Sequence, residues 1–196
     1  TLIFNQMVRG YREGLEAATA TLLNTLTAAT DIAITAGATD ETLAAEWDAA
    51  LAALQFERGY DWSALALEKN LYLAFVAARD TSGRVLYPQV GPANANGTAA
   101  RRFLTLDLGG VVGVPAWALP TNADPEVSNN SWLFDPSVVH GWATAPQRLE
   151  FPGTDGDGGY APVAMVDIAI WGYKAFACSD IGGVRQITYA ASAGGS

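Results

Sequence analysis

Apolar residues recur at Phe4, Val8, Tyr11, Leu15, Ala18, Leu22 and Leu26, in steps of three and four. That spacing marks one face of an α-helix. A helix of this span is about 39 Å long, so the rest of the chain must fold beside a rod. The opposite face carries Arg9, Arg12, Glu13 and Glu16. Arg9 and Arg12 are spaced to meet Glu13 and Glu16 at i,i+4. Gly10 and Gly14 each cost up to about 1 kcal/mol relative to Ala, so packing rather than propensity must hold the helix. The pattern is already in phase at residue 2, with no Ser, Thr, Asp or Asn cap ahead of it. The expectation is that the native polypeptide continues upstream of Thr1.

After a β-branched stretch at Asp31 to Thr35 and Gly37, TDETLAAEWDAALAALQFERG predicts a second helix. Thr39 or Asp40 can cap it, acidic residues fill its first turn, and Leu43, Trp47, Ala50, Leu51 and Leu54 form its stripe, with a stop at Gly59. A short strand, Ser63 to Leu67, leads to a third helical stretch, LEKNLYLAFVAARD, and the turn Ser82-Gly83. From Val85 the chain becomes short apolar runs broken by Pro, Gly and Asn, which read as strands and loops. DPSVVHGWATA reads as one or two helical turns, with Asp135 as cap and Pro136 at the first position. The tail gives two strands, about Val163 to Cys178 with a break at Gly172, and Val184 to Ala190. The class is α+β.

The run VAMVDIAIWGYKAFACSD, residues 163–180, carries two charges and a Gly before Asp180. A membrane span needs about 20 predominantly apolar residues, so the run is either a core strand or a surface covered by a neighbour. A chain of 196 residues buries roughly 70% of its unfolded surface. It needs no staple, and Cys178 alone forms no internal disulfide. The formal charge is −9, with 20 acidic residues against 11 basic ones of which Lys69 and Lys174 are the lysines. The pair Arg101 and Arg102 is the densest basic cluster, so specific nucleic-acid binding is not expected.

Chemistry-bearing motifs are thin. His140 is the only histidine; Ser137 is near it in sequence, but no G-x-S-x-G elbow or orienting acid accompanies them. A helix-surface or packed histidine is the expectation, and Cys178 is expected to be a small buried hydrophobe. GTDGDGG, residues 153–159, imitates part of a calcium loop through Asp155 and Asp157, but position twelve counted from Asp155 is Val166, where a bidentate Glu would be needed. LGGVVGVPAW, residues 108–117, is not a phosphate loop, because Pro115 falls where the phosphate-binding helix would run. It reads as a tight turn between strands. No catalytic residue, cofactor or metal is assigned. Trp62, Trp117, Trp132, Trp142 and Trp171 lie in segments that read as strands or loops. Large aromatics in such partly exposed elements suit surfaces covered by partners.

LEKNLYLAFVAARDTSGRVLYPQVGPANANGT, GVPAWALP, SWLFDPSVVHGWATAPQRLEF and APVAMVDIAIWGYKAFACSDIGGVRQITY, in that order, resemble the C-terminal half of major capsid proteins of tailed bacteriophages. The type is that of actinobacterial phages and prophages. The resemblance implies a Hong Kong 97-type capsid fold that lacks the N-terminal arm and the extended loop. It implies a spine helix of a peripheral domain at 1–35, an axial domain with a mixed sheet at 36–180, and at 181–196 a strand returning to the peripheral domain and a flexible tail. The run 163–180 is then a central strand of the axial sheet.

The implied function is a non-enzymatic shell subunit, self-associating into pentamers and hexamers that form an icosahedral head around the DNA genome. Its implied partners are copies of itself and phage portal, scaffold or protease components, without a membrane. Its implied location is the virion capsid, after synthesis in the bacterial host cytoplasm. An encapsulin-like compartment shell shares the fold, and a hydrolase with an unfamiliar site around His140 or Asp155 is the reading from another class. Some relatives crosslink subunits through Lys and Asn side chains, but nothing assigns that to Lys69, Lys174 or any Asn here. The candidate subunit contacts are Arg9, Arg12, Glu13 and Glu16 on the first helix, and Asn94 and Asn96 in the loop PANANG.

Overall fold

The amphipathic segment at the front folds as one helix, α1 (Leu2–Thr25). The computed structural model describes residues 2–26, 29–57, 59–87, 105–120, 129–152 and 166–190. Asn94, Asn96 and the 153–159 loop lie outside them. Six strands form a mixed sheet in the order β1 (Thr30–Ala33), β10 (Val184–Tyr189), β5 (Asn129–Phe134), β2 (Ala64–Leu67), β4 (Val112–Pro115), β3 (Leu106–Asp107). β1 runs parallel to β10 and β2 parallel to β4, while the other neighbours are antiparallel. The VRQITY strand therefore lies inside the sheet, between β1 and β5.

Side-chain alternation divides this sheet into two faces. Leu65, Leu67, Leu133, Ile187 and Tyr189 point to one side, where α2 (Asp40–Leu54) and α3 (Lys69–Ala77) cover them with Leu43, Trp47, Leu54, Leu71 and Phe75. Trp47 is fully buried, meets Phe75 edge-on at 5.6 Å between ring centroids, and donates its Nε1–H to Leu108 O at 3.1 Å. Burying a side chain of this kind contributes about 3 kcal/mol. The α2 stripe is the one its spacing predicts, although the helix stops at Leu54, before Gly59. α3 starts where the buried Glu68 carboxylate accepts the Leu71 N–H at 2.7 Å.

On the other face, Ala66, Trp132, Phe134 and Val184 meet Ala20 and Leu23 from the last turns of α1, with Leu119, Val138 and Cys178. This second core covers only part of that face. Val112 and Val114 of β4 remain exposed there. Gly113 points the other way, where a Cβ would come within 2.9 Å of Leu67 Cδ1 and 3.0 Å of Leu108 Cδ1.

The other strands among the described residues make an arm. β6 (Val139–Ala143) pairs with β9 (Lys174–Cys178), and β7 (Gln147–Pro152) pairs with β8 (Val166–Trp171), both antiparallel. Ala143 faces Lys174 and Gln147 faces Trp171, so residues 144–146 on one side oppose 172–173 on the other. One extra residue bulges the ribbon at that point and bends it.

Two expectations fail here. DPSVVHGWATA forms a turn at 136–138 and then β6, not helical turns. Pairing with β9 supplies its backbone partners, and the cap at Asp135 serves a turn, its carboxylate accepting the Ser137 N–H at 2.7 Å. The run 163–180 is not a central strand of the main sheet. It divides at Gly172 into β8 and β9, each in a two-stranded ribbon outside the six-stranded sheet, with Lys174 bonded to α1 and Cys178 beside the second core. The turn expected in LGGVVGVPAW is present, with Gly109 at φ 75° and Gly110 at φ 92° between β3 and β4.

Candidate functional site

α1 lies between two structures. On one side the arm packs along it: Tyr11 donates its hydroxyl to Thr144 O at 2.9 Å, Lys174 Nζ donates to Gly14 O at 3.1 Å, and Arg148 sits 6.0 Å from the Phe4 ring centroid. Gly172, at the bulge, lies against Tyr11; a Cβ there would collide with the phenol oxygen and come within 2.9 Å of Thr144 Oγ1. The bulge therefore seats the arm on the helix.

At about 100° per residue, Arg9, Glu13 and Glu16 lie roughly opposite Tyr11 and Gly14. There they border a cleft of about 460 Å3 with Trp117 and Ala118. Arg9 Nε donates to Glu13 Oε1 at 2.8 Å, the i,i+4 pair the spacing predicts. Both side chains are exposed, so the pair contributes about 0.3–0.5 kcal/mol. The second predicted pair is absent: Glu16 Oε1 accepts the Ala118 N–H at 3.1 Å, and exposed Arg12 has no carboxylate partner among the described residues. The free backbone N–H of the Trp117 turn, close to the helix, takes the carboxylate that spacing alone assigns to Arg12.

Trp117 is 79% exposed. Ala116 N–H donates to Leu67 O at 2.8 Å, Leu119 N–H donates to Ala116 O at 3.3 Å, and Leu119 is buried in the second core. The turn is pinned at both ends and its middle residue projects. From there an apolar groove of about 480 Å3 runs over Ala64, Ala66, Val112, Val114 and Phe134 on the uncovered face of the main sheet. A third hollow of about 340 Å3, bordered by Lys69, Tyr72 and Leu73, meets the same indole.

A second exposed aromatic pair lies on the arm. Trp142 is 56% exposed and Tyr173 is 70% exposed, and they flank a hollow of about 390 Å3 lined by Gly141, Ala143 and Ala175, with Lys174 at its rim. His140 stacks at 5.6 Å on Trp142, and its Nε2 is 3.2 Å from Ser179 Oγ. The histidine is thus on a strand face, not a helix surface. Cys178 is half-buried beside the second core.

Carboxylates hold the junction between arm and sheet. Asp135 accepts the Asp61 N–H at 2.9 Å and the Ser137 N–H, which keep its pKa below the usual range. Asp180 accepts the Tyr60 hydroxyl and the Gly182 N–H, each at 2.8 Å. These bonds lower the Asp180 pKa, and the same bond raises that of Tyr60. Arg185 pairs with Glu57 and lies 4.7 Å from the Trp62 ring centroid.

Of the residues singled out from sequence, Arg9, Glu13 and Glu16 therefore converge on one cleft, while Arg12 stands beside it. Among the tryptophans, Trp132 is buried, Trp62 and Trp171 are half-buried, and Trp117 and Trp142 project. Val112 and Val114 were missed. Their signal is the Val-Gly-Val alternation, which puts bulk on one face of a strand and none on the other. Among the described residues no three His, Cys, Asp or Glu side chains gather as for a metal, and no helix is long and apolar enough to cross a membrane.

No protein-family model matches the chain, and no curated protein matches its sequence. Solved structures do match its fold. A Mycobacterium phage Che8 chain is similar at 15% identity and a TM-score of 0.54, over 86% of this chain and 55% of that one. A Mycobacterium phage Ogopogo chain gives 16% identity and 0.52, over 84% and 55%. A chain from the capsid of an empty GTA particle, computed with C5 symmetry, gives 16% and 0.52, over 83% and 50%. At these identities the likeness is one of fold. The chain spans about half the length of the chains it matches.

Proposed function

We propose that this chain is a structural subunit of a bacteriophage capsid of the Hong Kong 97 type. It self-associates into pentamers and hexamers that form an icosahedral head enclosing the DNA genome. The observation that carries the reading is the fold likeness to the Che8, Ogopogo and GTA capsid chains. In the proposed frame α1 is the spine of the peripheral domain and the α/β lobe is the axial domain. The exposed aromatic and charged surfaces on either side of α1 are what neighbouring copies cover, and they do no chemistry. Many moderate contacts of this kind add up through multivalency. A net charge of −9 also keeps the shell from clinging to packaged nucleic acid. The location is the virion, after synthesis in the host cytoplasm. Portal, scaffold or protease components are the further partners proposed.

Sedimentation of the native gene product, expressed in bacteria, tests the reading. Particles of many subunits, sedimenting far ahead of a single chain, are expected. A species that stays monomeric up to the highest soluble concentration would rule it out.

A further inference from the structure

Among the described residues, the exposed large apolar side chains include two groups. One is the Trp117 face, with Val112, Val114 and Leu73; the other is the outer face of the arm, with Trp142 and Tyr173. Resting on the shell-subunit reading above, we infer that the Trp117 face of one copy binds the Trp142–Tyr173 face of the next copy, head to tail.

Three observations support the pairing. A ring of more than two copies requires two unlike patches on each copy, because a single self-complementary patch closes a dimer. The two patches are on opposite flanks of α1: Glu16 of the helix faces the Trp117 turn, while Tyr11 and Gly14 face the arm. They therefore cannot satisfy each other within one chain.

The shapes correspond as well. Trp117 is a projecting indole, and the arm offers a hollow of about 390 Å3 between two aromatic walls, lined by Gly141, Ala143 and Ala175. A tryptophan seated in such a pocket is the usual anchor of an interface.

The test is a mixing experiment with the whole chain, read by sedimentation. Trp117→Glu and Trp142→Glu each remove one patch and leave the other. Each variant alone should associate at least tenfold more weakly than the unsubstituted chain. An equimolar mixture should form a heterodimer, since the first retains an intact arm face and the second an intact Trp117 face. Both indoles are largely exposed, so the variants should keep the parent thermal melt. Val114→Glu and Tyr173→Glu repeat the design should either one fail to fold.

The inference is overturned if Trp117→Glu alone associates like the parent, if the mixture associates no more than its separate components, or if the unsubstituted chain does not associate. Shells formed by the native gene product together with a mixture that fails to complement would reject this contact and leave the shell reading standing. Absence of shells would reject the shell reading itself.

Discussion

At Gly172 the absence of a methyl group leaves room for the Tyr11 phenol and the Thr144 hydroxyl where the arm lies on α1. Gly172→Ala puts a Cβ into the Tyr11 hydroxyl and crowds Thr144, so it should destabilise the chain by about 1–3 kcal/mol, as overpacking does. Tyr11→Ala in the same chain should recover part of that loss. Purely additive melting shifts would mean the two residues do not touch. Asp135 supplies a pH test. Backbone N–H donors hold its pKa low, so its stabilisation is present above the ordinary Asp range near about pH 4 and is lost as the pH falls through its folded value. The difference in Tm between the parent and Asp135→Asn should thus be largest at neutral pH and shrink below about pH 3. A difference independent of pH would contradict the assignment. Arg9 and Glu13 were legible from spacing because an i,i+4 pair is local. Glu16 was not, since its partner, the Ala118 N–H, comes from a turn 102 residues away.

Helices were legible where a local period dictates them. The stripe at Phe4, Val8, Tyr11, Leu15, Ala18, Leu22 and Leu26 predicts α1, although the helix ends at Thr25 and its buried residues are Ala20 and Leu23, outside the stripe; Leu43, Trp47, Ala50, Leu51 and Leu54 predict α2, of which Leu43, Trp47 and Leu54 are buried. The arm was misread for an equally physical reason. An apolar run of strand length has no mark for whether it lies in a main sheet or in a ribbon against a helix, and the bulge at 144–146 is a matter of register between distant segments. β6 was hidden by a genuine turn signal, Asp135-Pro136, that ends after three residues. A two-stranded ribbon is marginal without support, whereas β10 and β5 pair inside the main sheet beneath α2 and α3. Amide hydrogen exchange should therefore be faster across β6–β9 and β7–β8 than across β10–β5. Equal protection in the two would show that the arm is as stable as the sheet.

For the whole molecule, the ordered set of segments that resembles phage capsid proteins pointed to the fold, and the solved structures match that fold at 15–16% identity. What the sequence could not locate was which aromatic side chains project, because exposure is a property of packing. Trp132 and Trp117 look alike in the chain, yet one is buried and the other projects. Arg12, exposed and without a carboxylate partner among the described residues, gives a separable test. Arg12→Glu should change stability by less than about 0.5 kcal/mol and still lower the particle yield of the native gene product. An unchanged yield would remove Arg12 from the contacts. The most direct measurement is cryo-electron microscopy of that product. Closed shells are expected, in which this fold, with α1 flanked by the arm and the Trp117 turn, repeats in rings of five and six. Micrographs with no shells, or shells whose subunits have a different fold, would contradict it.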